Sequence, residues 1–262
     1  MSTEPQAASV SEVQNSGKTA PVGEDCFADF NFESLETSLE AMMKSGVHFG
    51  HQKSRRNPKM KEFIFTTRKG VDILDLQKTV GKIERAVEFL KSVKKSGKKI
   101  LFVGTKKQSS DVIKASAQRL KMPYVVDRWL GGTFTNFKNI RGRVNYLIDS
   151  EKKMEAGEFS RYTKFERLKK SEELEKMEGK MGGIKEMTEF PGVLFAVDIK
   201  SDELAISEAK KVGIPVVALA DTNIDPTLVD YPIPANDDAV SSLKFILGYI
   251  CKELGKVEEE KK

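Results

Sequence analysis

Three unbroken apolar runs constrain this chain more than anything else in it: Ile100-Leu101-Phe102-Val103, Val193-Leu194-Phe195-Ala196-Val197 and Ile214-Pro215-Val216-Val217-Ala218-Leu219. A strand with water on one side alternates apolar and polar residues, whereas an unbroken run is covered on both faces, as in a parallel sheet between layers of helices. Helical patterns lie between the runs. Asp75 opens one with Leu76, Val80, Ile83, Val87 and Leu90 on a single face, and Gly97 closes it. Others are expected at about 108–120, 203–211 and 237–252. Tyr124-Val125-Val126 reads as a further strand, and Phe63-Ile64-Phe65 and Val71-Asp72-Ile73-Leu74 as two short ones around Arg68-Lys69-Gly70. Strands alternating with helices imply right-handed crossovers and a doubly wound, mainly parallel α/β sheet with helices on both faces.

From roughly 136 to 184 the pattern changes. Ile140, Val144, Leu147 and Met154 form one narrow apolar seam, and Phe165, Leu168, Met177, Met181 and Ile184 a second, with Gly157 between them and Lys, Arg and Glu elsewhere. Two narrow seams joined by a turn predict an inserted antiparallel coiled-coil helical hairpin. The expected plan is a disordered acidic extension over 1–30, an α/β domain made of 31–135 and 185–253, the hairpin over 136–184, and a charged tail over 254–262. A first helix is expected over about 32–44, ending before Gly46.

Charge narrows the function. Residues 1–45 hold eight acids against two bases, so the remainder stands at +11 within a chain total of +5. A body this basic points to a polyanion. No apolar run reaches the ~20 residues that span a bilayer. Two cysteines near opposite ends, Cys26 and Cys251, are neither a disulfide framework nor a zinc spacing, and fit a reducing cytoplasm.

Three acid-free intervals gather cations into patches. Residues 46–61 contain both histidines with Lys53, Arg55, Arg56, Lys59 and Lys61; the Asn57-Pro58 step and the lack of apolar period predict an exposed loop. Arginine presents a planar fork of donors that matches phosphate oxygens. The interval 89–110 carries Lys91, Lys94, Lys95, Lys98, Lys99, Lys106 and Lys107; the interval 128–148 carries Arg128, Lys138, Arg141 and Arg143 around the only tryptophan, Trp129, expected to anchor its loop in the core. Three such patches suit broad contact with the backbone of folded RNA.

Other chemistries fit less well. Gly104-Thr105-Lys106-Lys107 after a strand and before a helix resembles a phosphate loop but completes neither nucleotide fingerprint. Asp198 and Asp221 follow apolar strands, with Asp225 close by, and could hold magnesium in a phosphohydrolase; turn and cap roles explain them better, since no nucleophile with a base is evident. His48 and His51 lack a third ligand near in sequence.

The segments GVHFGHQKSRRNPKM, DLQKTV, KKILFVGTKKQ, DRWLGGTFTNFKNIR, MGGIKEM, GIPVVALADTNIDP and YPIPANDDA together resemble the universal ribosomal protein S-two family in its bacterial form, over about residues 38–252. The resemblance implies a non-enzymatic constituent of the small ribosomal subunit, located in the cytoplasm, which binds ribosomal RNA late in assembly and has the flexible ribosomal protein S-one docking nearby. No cofactor is implied beyond structural magnesium shared with RNA. The RNA-facing residues it implies are His51, Lys53, Arg55, Arg56, Asn57, Lys59 and Lys61; Lys106 and Lys107; and Arg128, Thr133, Asn136, Lys138, Asn139 and Arg141. The long acidic N-terminus departs from the family pattern.

Overall fold

A computed structural model describes residues 38–157, 159 and 162–259. The expected N-terminal extension, and the start of the first predicted helix, lie outside the described residues. Helix α1 (Leu39–Lys44) is capped by the Ser38 hydroxyl. After it come β1 (Phe49–Gln52), β2 (Ile64–Arg68) and β3 (Val71–Leu74), an antiparallel sheet in the order β1-β3-β2. Then α2 (Leu76–Lys95), β4 (Ile100–Val103), α3 (Lys107–Leu120) and β5 (Tyr124–Val125) lead to two long helices, α4 (Phe137–Glu155) and α5 (Lys164–Met181). The chain finishes with β6 (Val193–Ala196), α6 (Glu203–Val212), β7 (Val216–Ala220), β8 (Tyr231–Pro234) and α7 (Val240–Glu259).

Strands β4 to β8 form one parallel sheet in the order β5-β4-β6-β7-β8. Strand β4 therefore lies inside the sheet, and the winding reverses between β4 and β6. All residues of β4, β6 and β7 are buried, because successive side chains leave a strand on opposite faces and both faces are covered. Ile100, Phe102, Val193, Phe195, Val217 and Leu219 pack with the apolar stripes of α2, α3 and α7. Leu101, Val103, Leu194, Ala196, Val216 and Ala218 pack with α6, the roots of α4 and α5, and Met60, Phe63 and Leu74. The doubly wound expectation holds, and the two layers follow from odd and even positions in the same runs.

Three elements differ from the expectation. Strand β8 contains Pro232 and Pro234, which a sequence reading counts against a strand; at the sheet edge the missing N–H groups are not needed for pairing. Residues 46–61 are not a plain loop, since β1 pairs with β3 and short 3-10 turns follow at Lys53–Arg55 and Pro58–Phe63. Helix α7 continues past the expected boundary at 254, because Leu254 and Val257 are buried. Cys251 is buried there as well, which pushes its thiol up to about 11.

Helices α4 and α5 form an antiparallel pair: Arg141 reaches Lys185, while Lys170 meets Tyr146. A capping box of Thr163 and Glu166 starts α5. The seam closes only at the root, where Ile140, Val144, Leu147 and Met181 are buried, together with Leu174, which the pattern did not single out. Met154, Phe165 and Leu168, expected in the seam, are 49%, 65% and 55% exposed. The apolar period extends further along these helices than the packing that uses it.

Candidate nucleic-acid interface

In a parallel sheet every strand points the same way, so the loops following the strands share one edge. The segments after β4 (residues 104–106), after β5 (126–136), after β6 (197–202), after β7 (221–228) and after β8 (235–239) all lie at this carboxyl edge. The segment 50–59 is fastened to the same edge. The Asn57 N–H donates to the Thr222 carbonyl at 2.8 Å, and the His51 N–H to the Thr222 hydroxyl at 2.8 Å. Glycine is required at position 50, where a Cβ would lie 2.4 Å from Thr222 Cγ2. The Asn57 side chain accepts from the Lys59 N–H and caps the next turn.

Several candidate cations here are committed to acids of their own chain. The Arg56 guanidinium donates Nε to Asp72 at 2.6 Å and Nη2 to Thr67 at 2.6 Å, and also pairs with the second Asp72 oxygen. Asp72 is fully buried, and the Arg56 hydrogen bond holds its carboxyl below the usual range. Lys59 Nζ donates to Asp225 at 2.6 Å and to Thr227 at 3.1 Å; hydrogen bonds from Lys59 and Thr227 bring Asp225 down to about 2. His51 Nδ1 lies 2.9 Å from Asp221 and Nε2 lies 3.5 Å from Asp238. The Asp221 hydrogen bond raises the imidazole's affinity for a proton despite partial burial.

Lys106 stands at the reversal point of the sheet, 2.6 Å from Asp238, 3.0 Å from Asp237 and 3.7 Å from Asp198. Burial alone would lower its pKa, but the hydrogen bond to Asp238 and the charge of Asp237 raise it. The acids are crowded: burial, with the charges of Asp198 and Asp221, pushes Asp237 to about 7, and burial pushes Asp202 to about 6 although it accepts from the Thr105 hydroxyl at 2.8 Å. Lys106 is thus a counter-ion of the fold, whereas its neighbour Lys107, the first residue of α3, is exposed.

The loop after β5 is organised from a distance. Glu208 of α6 is buried and accepts backbone N–H groups from Gly132 at 2.6 Å, Phe134 at 3.0 Å and Thr135 at 3.3 Å. Burial would raise its carboxyl, but these donors bring it below the ordinary range. Amides of one short loop converging on an anion resemble a nest, and here the chain's own carboxylate fills it, while the Thr133 N–H turns to the Leu130 carbonyl. Sequence reasoning missed Glu208, since nothing local marks a glutamate on a helix as the partner of a glycine loop so far away in the chain. Trp129 is buried with its ring 5.0 Å from that of Phe134, as expected of an anchor. Thr133, among the implied RNA contacts, is 2% exposed and gives its hydroxyl to the Leu130 carbonyl at 2.6 Å, so it faces inward. Arg141 is half-buried and donates to the Lys185 and Met187 carbonyls, tying α4 to the segment after α5. Asn136, Lys138 and Asn139 are exposed at the start of α4.

The remaining cations are open. Lys53, Arg55, Lys61, Lys107, Arg128 and Lys138 are exposed, and among the described residues none forms an ion pair; Lys53 feels Asp72 only at longer range. The patch at 89–99 does not join them. It lies where α2 runs into the amino end of β4, with Lys91 paired to Glu253, Lys94 donating to the Leu254 carbonyl and Lys99 at 3.7 Å from Glu186. Two of the three sequence patches therefore lie at the carboxyl edge, and the third is split, with residues 91–99 at the amino edge and Lys106 and Lys107 at the carboxyl edge. Asp198, Asp221 and Asp225 are each engaged in a turn: Asp198 accepts from the Lys200 N–H and the Ser201 hydroxyl, Asp221 from the Thr222 N–H, and Asp225 from the Thr227 N–H.

Residues 42–255 match the family model described as Ribosomal protein S2. The chain belongs to that family. It is 51% identical over 213 residues to the small ribosomal subunit protein uS2 of Roseiflexus castenholzii (strain DSM 13941 / HLO8), covering 81% of each chain, and 50% identical over 213 residues, again 81% of each, to its namesake in Roseiflexus sp. (strain RS-1). Membership makes it a structural ribosomal protein and not an enzyme, and the phosphohydrolase alternative has no support. Among the described residues no helix is long and apolar enough to cross a membrane.

Proposed function

We propose that the chain is built into the small ribosomal subunit by binding its ribosomal RNA through the carboxyl edge of the parallel sheet. The observation that carries this reading is the group of exposed cations there, Lys53, Arg55, Lys61, Lys107, Arg128 and Lys138, which no described acid of the chain neutralises. Phosphates are their natural counter-ions, and the counter-ions they release from RNA on binding drive association. Arg56, Lys59, Lys106 and His51 act beside them by fixing the loops that present the open cations, and Asn57, Asn136 and Asn139 offer amide donors at the same edge. Arg141 holds α4 in place. Neighbouring small-subunit proteins complete the surroundings, the flexible ribosomal protein S-one among them. The test is sedimentation with purified small subunits: the full chain is expected to co-sediment and to survive a moderate-salt wash, and release at low salt would contradict the reading.

A further inference from the structure

Phe65 is 75% exposed, more than any other large apolar side chain among the described residues. A single exposed ring calls for no explanation, but its setting does. Ile64 lies opposite Leu74 and Thr66 opposite Ile73, so Phe65 is the additional residue of a bulge and stands outside the ladder. Bulges re-aim a side chain and are frequent beside functional sites. The neighbours do not cover the ring, since Thr66, Thr67, Arg68 and Lys69 are all exposed.

The ribbon of β2 and β3 turns on Lys69 (φ 50) and Gly70 (φ 79), two successive left-handed residues of the kind whose twist matches paired strands. The Lys53 N–H donates to the Gly70 carbonyl at 2.9 Å, which fastens the turn bearing Lys53 and Arg55 beside the ribbon tip. Lys53, Arg55, Arg68 and Lys69 are exposed and form no ion pair with a described acid. Asp72, the acid of β3, is buried under Arg56; Glu62 precedes the ribbon. A protruding ring and a set of open cations are the two parts of a single-strand site: the ring takes the face of a base and the cations take phosphates. Only an unpaired base has a face to offer, because bases within a duplex stack on one another.

We propose that Phe65 stacks on an unpaired base of the RNA, with Lys53, Arg55, Arg68 and Lys69 on the adjoining phosphates. This rests on the RNA-binding reading above and adds to it a residue that distinguishes single-stranded from paired RNA. The test uses the full chain with two probes, a short oligoadenylate and an RNA duplex of the same length. Phe65→Ala is expected to lose about 5- to 150-fold in affinity for oligoadenylate, the worth of one stacked base, and to keep its duplex affinity and the slope of binding against salt. Phe65→Tyr should bind as the natural chain does, and Phe65→Leu should behave like the alanine variant. Because the ring is exposed, thermal unfolding of all three should match that of the natural chain. Unchanged oligoadenylate affinity in Phe65→Ala overturns the proposal, as does an equal loss on the duplex. Reduced entry into small subunits with oligoadenylate affinity intact assigns the ring to a protein neighbour and overturns it too. If the natural chain bound neither probe, the RNA-binding reading beneath it would fall first.

Discussion

Both edges of the five-stranded sheet are rich in lysine and arginine, and the chain uses them differently. At the amino edge Lys91, Lys94 and Lys99 are held by Glu253, the Leu254 carbonyl and Glu186, so most of the charge there works within the fold, with Lys98 exposed beside them. At the carboxyl edge the cations divide. Arg56 is locked to buried Asp72 while Arg55, its neighbour, is open; Lys106 sits among three aspartates while Lys107 faces outward. Cation density along a sequence therefore does not measure the charge available to a partner. Acids brought in from remote parts of the chain decide it, and they leave one member of each neighbouring pair free.

Arg56→Ala should have the largest effect. It strands a fully buried carboxylate, a change that costs about 3–5 kcal/mol when the pair is sequestered; with the Arg56 side chain 22% exposed, a loss near the lower end, about 3 kcal/mol, is expected in urea unfolding. Arg55→Ala should stay within about 0.5 kcal/mol of the natural chain, as surface changes do. Equal stabilities would erase the distinction between the two arginines.

Glu208→Ala comes next. It removes the acceptor of three backbone donors in the loop after β5. Water can replace it at the part-buried Gly132 and Thr135 N–H groups, so the cost is set by the buried Phe134 N–H; a hydrogen bond to a charged group contributes about 1.5–3 kcal/mol. An overall loss of about 2 kcal/mol is expected, with faster hydrogen exchange at the amides of Gly132, Phe134 and Thr135. Exchange as slow as in the natural chain would mean that the loop keeps its shape without the carboxylate.

His51→Gln should act least and only in part of the pH range. Because the hydrogen bond to Asp221 raises the His51 pKa, the protonated imidazole stabilises the fold fully below its unfolded value of about 6.5, and this contribution disappears as pH rises through the higher folded value. The natural chain's advantage over the variant is thus expected to be greatest in mild acid and to fade toward alkaline pH in a series of unfolding curves. A difference that grows with pH would show that the pairing with Asp221 has been misjudged.

Much of the fold is legible in the sequence for a simple reason. An unbroken apolar run between amphipathic helices has few ways to hide both faces, so β4, β6 and β7 and their flanking helices could be read from local pattern. Strand β8 could not, because its prolines are tolerated only where a neighbouring strand is absent on one side, a fact about position in the sheet. The seam of α4 and α5 was overread toward the tip: Phe165 and Leu168 have the right spacing, but spacing does not require a partner. At the candidate interface the sequence located the cations correctly along the chain and could not tell which were open. Asp72, Asp225, Asp237 and Asp238 settle that question, and each lies far from the cation it holds or on the neighbouring strand. Thr133 shows the same limit, a hydroxyl in a polar loop that turns inward to a carbonyl.

The division between the edges is tested most directly by the salt dependence of binding to small-subunit ribosomal RNA. If the open cations of the carboxyl edge meet phosphates, replacing Lys53, Arg55, Lys107 and Arg128 together with alanine lowers the slope of log affinity against log salt by up to about 3.6, four phosphates at about 0.9 each, while replacing Lys91 and Lys99 leaves the slope as it was. A slope unaltered by the first set, or lowered as much per residue by the second, would contradict the account.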